Sequence, residues 1–335
     1  MVKIVNVLEV RNLEVRYRNS GRTVFAVNGL SFALEKGQLL ALVGESGCGK
    51  TVTCLSVLGL NSSASISGQI LFDGIDISRL PEREYREFRG RRIAMIFQDP
   101  SSSLNPMVKI GKQVVEVIQL HHEVSKNDAR AIAVDAFRRL SIPAPEEKLD
   151  QYPHEQSGGT NQRIMMAIAL SCNPEVLLAD EPTSSVDATV RRQLLSVLAK
   201  LRRDRHMAIL FVTHDLSLVR TVADRILIMY HGMLMEEGQA RRVFENPLHP
   251  YTKALLSAEP LDEDAGVAVR GDSPSPFSLP AGCVYEACCQ ERIGEVCCLE
   301  RPRILNNGRQ VRCHWYDREI VETGVRPWPS EDCLY

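Results

Sequence analysis

The run "LLALVGESGCGKT" (residues 39–51) decides how this chain is read. Leu39, Leu40, Ala41, Leu42 and Val43 describe a buried strand, and the residues after them change character abruptly. Gly44, Gly47 and Gly49 let backbone N–H groups turn inward around an anion, and Ser46 and Cys48 belong to the same cradle. Lys50 can reach terminal phosphates, and Thr51 can offer its hydroxyl to Mg²⁺. G-x-x-x-x-G-K-T between a strand and an apolar helix expected over residues 52–60 predicts a P-loop. The rival reading is a glycine-rich turn that happens to hold a lysine.

The bulk composition narrows the setting. At 335 residues the chain can bury a large core and is expected to carry two domains. It holds 40 basic and 42 acidic residues, so no field of one sign points to nucleic acid. Apolar runs such as residues 164–170 fall short of the roughly 18 residues needed to span a bilayer. "MVKIVNVLEVRN" has neither the basic start nor the apolar core of a secretory signal. A cytoplasmic protein that docks on something membranous is expected.

Periodicity divides the chain. "LEVRNLEVRY" and "GLSFALEKGQLLALVG" alternate like strands, and "GQILFDGIDI" carries an Asp73-Gly74 hairpin signal. From about 101 to 172 the spacing turns helical, with Ser125-x-x-Asp128 resembling a capping box. Strand and helix patterns then alternate: "EVLLADE", a helix over residues 188–203, "AILFVTHD", and the hairpin "RILIMYHGMLMEEG" turning at His231-Gly232. Residues 259–282 read as a Pro- and Ser-rich linker to a cysteine-rich segment. The expected division is a domain over 1–250, with a helical subdomain at about 101–172, and an extension over 251–335.

The later motifs supply chemistry that a P-loop needs. "EVLLADE" ends in Asp180, placed to hold Mg²⁺ through water, and Glu181, placed to act as general base on an attacking water. In "QSGGTNQR", Ser157, Gly158 and Gly159 stand where a helix begins, which makes an anion site of free N–H groups and helix dipole. With the P-loop already assigned to one set of phosphates, a second site would serve another subunit's nucleotide. Taken alone, the same residues read as an ordinary helix cap.

Together these motifs resemble the nucleotide-binding subunits of ABC transporters: the P-loop, Gln98 in "FQDP", the signature 157–159, Asp180-Glu181, "SSVD" (184–187) and His214 in "VTHD". "FQDPSSSLNP", "NPLHPYTKALLSA" and the terminal cysteines narrow the likeness to the ATPase subunits of dipeptide and oligopeptide importers. The resemblance implies an α/β fold, a RecA-like core with an antiparallel β-subdomain and a helical subdomain, followed by a small cysteine-rich extension. It implies ATP and Mg²⁺ as ligands, with Thr51, Gln98 and Asp180 around the metal. Gln98 would sense the γ-phosphate and report to a membrane subunit, His214 would hydrogen-bond the γ-phosphate, and Asp187 would communicate across a dimer. Tyr17 matches the aromatic that stacks on adenine, with Phe25 as its rival. Gln156 stands where family signatures carry Leu, and "SSVD" departs from the usual tetrapeptide while keeping its Asp.

Of ten cysteines, six lie between Cys283 and Cys313. In a cytosolic protein such a cluster suggests metal more than disulfides. Cys283, Cys289, Cys297 and Cys313 suit a four-iron four-sulfur (4Fe-4S) cluster or tetrahedral zinc, and their spacing is loose for a zinc ribbon. The resemblance favours iron–sulfur, while reduced, partly buried thiols in a docking segment remain the plain alternative.

The resemblance further implies partners: a second, non-identical ATPase forming a heterodimer, two transmembrane permease subunits, and an extracytoplasmic solute-binding protein. The expected place is the cytoplasmic side of the inner membrane. Importers of nickel, glutathione or other small cargo use the same ATPase type. A soluble ABC ATPase acting on ribosomes or DNA is the remaining reading, disfavoured because such chains typically fuse two cassettes.

Overall fold

The computed structural model describes residues 6–19, 21–183, 188–258, 274–306 and 308–317. Two long antiparallel strands come first, β1 (Asn6–Asn19) and β2 (Arg22–Glu35), then the short apolar β3 (Leu39–Val43) and helix α1 (Lys50–Val57). β4 (Ala64–Phe72) and β5 (Ile75–Asp76) return to the first two, giving a four-stranded antiparallel sheet ordered β2-β1-β4-β5. β1 buries Leu8 and Val10, then Leu13 and Val15, so its alternation slips by one residue between the pairs. A bulge at Arg11 and Asn12 absorbs the slip, with Asn12 at φ 49. Gly68 faces it at φ 99, where a Cβ would lie 2.4 Å from the Asn12 carbonyl oxygen, so only glycine fits.

α2 (Glu82–Tyr85) leads to β6 (Ile93–Ile96), after which the chain leaves the sheet for a helical insertion. It comprises α3 (Pro100–Ser103), α4 (Ile110–His121), α5 (Lys126–Arg139), α6 (Pro145–Lys148) and α7 (Gly158–Leu170). Ser125 caps α5 as its spacing suggests, accepting from the Asp128 N–H at 3.2 Å. Strand and helix then alternate through β7 (Val176–Asp180), α8 (Ala188–Arg205), β8 (Ala208–Thr213), α9 (Leu216–Val222) and β9 (Arg225–Tyr230). β10 (Met233–Gln239), α10 (Ala240–Glu245) and α11 (Pro250–Ser257) follow, then α12 (Val296–Leu299), β11 (Leu305–Asn306) and β12 (Gln310–Val311).

The second sheet is ordered β11-β12-β10-β9-β3-β8-β7-β6, with β9, β3, β8, β7 and β6 parallel. Its central strands are apolar on both faces because both are covered. Leu40 and Leu42 pack with the antiparallel sheet, while Ile96, Ala179 and Phe211 pack with the helical insertion and α8. Ala41 and Val43 pack against Tyr251, Val284, Tyr285 and Cys288, so the C-terminal extension shares the core around the P-loop strand.

One buried ion pair fastens that extension. Glu236 on β10 is fully buried, and its carboxylate accepts from the backbone N–H groups of Leu248 and His249 at 2.9–3.1 Å. Arg309, between β11 and β12, completes the pairing and also donates to the Asn246 carbonyl at 2.7 Å. β12 then hydrogen-bonds along β10 in antiparallel register, Val311 against Glu236. Among the described residues no helix is long and apolar enough to cross a membrane.

Candidate nucleotide site

The parallel strands end on one side of the sheet, and four of the five turns from those ends carry a polar residue singled out by the sequence. β3 leads into the P-loop, β8 into His214, β7 into Asp180 and Glu181, and β6 into Gln98. The carboxyl ends of parallel strands are where such folds place their ligands. Here they open on a cavity of about 310 Å³ lined by Ser46, Gly47, Gly49, Lys50, Thr51, Gln98 and Glu181.

The P-loop is held from behind. Gly49 caps α1 at φ 106, and a Cβ there would lie 2.4 Å from the Ala26 carbonyl oxygen. The Gly232 N–H donates to the Cys48 carbonyl at 3.0 Å, and the Glu45 N–H donates to the Tyr251 hydroxyl at 3.3 Å. Lys50 is buried, and its ammonium donates to the Gly44 and Glu45 carbonyls, both at 2.8 Å. The lysine is thus held on the loop it belongs to, where a phosphate can take over its protons. Cys48 is packing, its thiol pushed up by burial.

Beside the loop, Asp180 is buried, and burial pushes its carboxyl above the usual range against the Thr51 hydroxyl bond and the Lys50 charge. Asp180 Oδ1 has no hydrogen-bond partner among the described residues. An orphaned carboxylate oxygen next to a P-loop threonine fits a divalent cation whose remaining oxygens come from phosphate and water. Thr51, Asp180 and Gln98 are the side chains that can hold Mg²⁺ here.

Glu181 stands at the centre of the polar turns. Its backbone is left-handed, φ 45, and its N–H donates to the Val212 carbonyl at 2.9 Å. One carboxylate oxygen accepts from Gln98 Nε2 at 3.1 Å, and the other lies 3.2 Å from His214 Nδ1. A non-glycine residue held in that conformation carries strain of the kind found at active sites. The carboxylate, only 16% exposed, faces the cavity with two polar partners aimed at it. It can accept a proton from a water.

The far end of the cavity is apolar. Tyr17, Val24, Phe25 and Ala26 line it, so both aromatic candidates are present. The Tyr17 hydroxyl donates to Asn61 Oδ1 at 2.9 Å, and Phe25 lies under the Arg16 guanidinium at 5.5 Å. His231, Gly232 and Pro276 complete the wall. The sequence marked His231-Gly232 only as a turn and residues 274–282 only as linker, so neither was foreseen here.

Ser157, Gly158 and Gly159 lie elsewhere. Ser157 caps α7, accepting from the Thr160 N–H at 3.3 Å, and Gly158 is exposed with nothing within 4 Å of its Cβ position. They do not line the P-loop cavity. Asp187 lies outside the described residues.

The cysteines correct one expectation. Among the described residues no group of three or more His, Cys, Asp or Glu side chains is arranged to hold a metal ion, which overturns the four-iron four-sulfur cluster. Cys283, Cys289, Cys297 and Cys313 border a void of about 10 Å³, room for at most one water. Burial pushes the Cys283 thiol up to about 11, that of Cys313 up to about 12, and that of Cys289 upward too. Buried thiols of this kind pack as small hydrophobes. Of the doublet partners, Cys288 joins the aromatic core and Cys298 lies exposed beside Arg292 and Glu286.

Comparison with known proteins agrees with the fold. Residues 27–184 match the family described as "ABC transporter", and residues 235–297 match "Oligopeptide/dipeptide transporter, C-terminal region". The dipeptide transport ATP-binding protein DppD of Bacillus subtilis (strain 168) is 41% identical, covering 97% of this chain and 99% of that protein. The oligopeptide transport ATP-binding protein AppD of the same organism is 39% identical over 94% and 98%, and the OppD of Haemophilus influenzae 40% over 93% and 98%. Among solved structures, a dimeric ATP-binding cassette bound to ADP and phosphate superposes with a TM-score of 0.65 at 24% identity, a likeness of fold. It covers 70% of this chain and 99% of that one. cbiO1 of Clostridium perfringens, part of an ABC transporter complex, gives 0.60 at 26% identity over 72% and 92%.

Proposed function

The chain belongs to the ATP-binding proteins of ABC transporters, and from that premise we propose that it powers peptide import as one ATPase of a pair. It binds and hydrolyses ATP, and its relatives are named for oligopeptide and dipeptide transport. Those names and the match to the oligopeptide/dipeptide C-terminal region favour peptides over nickel, glutathione or a non-transport role.

One observation carries the mechanism: Lys50, Thr51, Gln98 and Glu181 face one cavity, while Ser157 and Gly158 of the signature face solvent. Backbone N–H groups of residues 47–51 and the Lys50 ammonium would hold the β- and γ-phosphates. Thr51, Asp180 and Gln98 would hold Mg²⁺, which neutralises phosphate charge. Glu181 would take a proton from the attacking water at its carboxylate, positioned by Gln98 and His214. Ser157 and the N–H groups at the α7 N-terminus would complete the site of the opposite cassette. The pair is a heterodimer with a related ATPase, on the cytoplasmic face of two permease subunits fed by a solute-binding protein.

The permease contact is proposed at a groove of about 710 Å³ between the sheet and the helical insertion. Leu60, Phe97 and Leu120 are exposed along it, and Phe97 adjoins Gln98, which touches Glu181. An apolar helix of a membrane subunit seated there would feel the hydrolytic site through one residue. The test is phosphate release in proteoliposomes holding the assembled importer. ATPase activity should rise with peptide-loaded receptor and collapse with Glu181→Gln. Full activity from this chain alone would overturn the paired-cassette reading.

A further inference from the structure

Residues 275–278, within the stretch read as linker, sit at the apolar end of the ATP cavity. Three contacts hold them there, two from β2 and one from the β9–β10 turn. The Phe25 N–H on β2 donates to the Pro276 carbonyl at 2.9 Å. The Arg22 guanidinium lies over the Phe277 ring at 5.5 Å. The His231 imidazole, in the β9–β10 turn, bonds the Ser278 backbone. Within the segment the Phe277 N–H donates to Ser275 Oγ at 3.3 Å, which curls the chain on itself. Pro276 lines the cavity alongside Tyr17 and Phe25.

The two ends of the cavity differ chemically. Inward N–H groups and Lys50 claim the anionic end of a ligand, which leaves the aromatic end for the nucleoside. A pyrrolidine ring on that wall offers a rigid apolar surface that loses little entropy when a ligand packs on it. The anchoring bond uses the Pro276 carbonyl, so its ring is not needed for the segment's attachment.

We propose that Pro276, held by the C-terminal segment it belongs to, packs on the nucleoside of ATP bound at the P-loop of the same chain. The extension is then part of the nucleotide site and sets its affinity. This rests on the reading of the cavity as an ATP site.

The test titrates the full-length chain with ATP, ADP and inorganic tripolyphosphate in the presence of Mg²⁺. Pro276→Gly should bind ATP and ADP roughly fivefold to tenfold more weakly and tripolyphosphate as before, since only the nucleoside touches the missing ring. Phe277→Ser, which removes the Arg22 anchor, should show the same pattern more mildly. Unchanged ATP affinity in both variants would overturn the proposal. Equal weakening for all three ligands would also overturn it, because the segment would then act on the P-loop as a whole. Wild-type protein that binds neither ATP nor tripolyphosphate would sink the ATP reading itself.

Discussion

The Tyr251 hydroxyl accepts a hydrogen bond from the Glu45 backbone N–H at 3.3 Å, joining α11 to the P-loop across some two hundred residues of chain. Tyr251 is fully buried, its ring tilted against those of Tyr230 at 4.6 Å and Tyr285 at 5.3 Å. Tyr251→Phe keeps the ring and removes the acceptor. Unfolding in urea should show about 1 kcal/mol less stability, the usual cost of a single neutral hydrogen bond. Stability equal to wild type would mean that the N–H finds water at no cost.

Glu181→Gln keeps the side chain's shape and its amide can still face Gln98 and His214, but it cannot take a proton. Phosphate release by the assembled complex should fall about 10²-fold or more, with ATP binding preserved. Wild-type turnover would remove Glu181 from the role of base.

Lys50→Ala deletes the one ammonium that lies on the P-loop carbonyls. ATP affinity measured by titration should fall clearly, by about tenfold or more, because the charge on the β- and γ-phosphates is lost. The fold should persist, since both carbonyls remain close to the cavity and water. An unaltered dissociation constant would contradict the P-loop assignment.

His249 gives the protein a predictable acid sensitivity. Its Nδ1 accepts from the Tyr251 N–H at 3.0 Å, and burial holds its pKa down to about 3 from 6.5. The unfolded chain takes up this proton below about pH 6.5 and the folded chain does not, so stability is complete above that pH and drains as pH falls toward 3. At pH 5 the loss from this group is roughly 2 kcal/mol. His249→Asn, which can still cap α11, should flatten the stability curve between pH 7 and 5. An equally steep curve would assign the acid sensitivity to other groups.

Arg309→Ala would leave the Glu236 carboxylate fully buried with only the Leu248 and His249 N–H groups. Removing one partner of a buried pair costs about 3–5 kcal/mol. The expected result is a clear drop in the denaturation midpoint, partly recovered by Glu236→Gln in the same chain. No recovery would mean that Arg309 acts by packing.

Much of this was legible in the sequence because it is local. The P-loop, the strand before it and Asp180-Glu181 are contiguous signals, and parallel strands bring their ends together by topology alone. Ser125 and the His231-Gly232 turn were readable for the same reason. Pro276 and Tyr251 were not, because their roles depend on packing between elements remote in the chain. The cysteines misled in the opposite direction. Their spacing resembles a ligand set, yet the same crowding arises when small apolar side chains fill a core beside Tyr230, Tyr251 and Tyr285.

β12 adds only two residues to the sheet, Gln310 and Val311, yet it occupies the one flank of β10 that β9 leaves open. A chain ending after residue 250 would present that flank as a row of unanswered N–H and C=O groups, next to a Glu236 carboxylate that has lost Arg309 and keeps only the Leu248 and His249 N–H groups. Strand edges of that kind recruit other strands, and aggregation follows. The last segment is therefore a seal against self-association, and a shortened cassette would fail in the test tube through clumping before its catalysis could be judged.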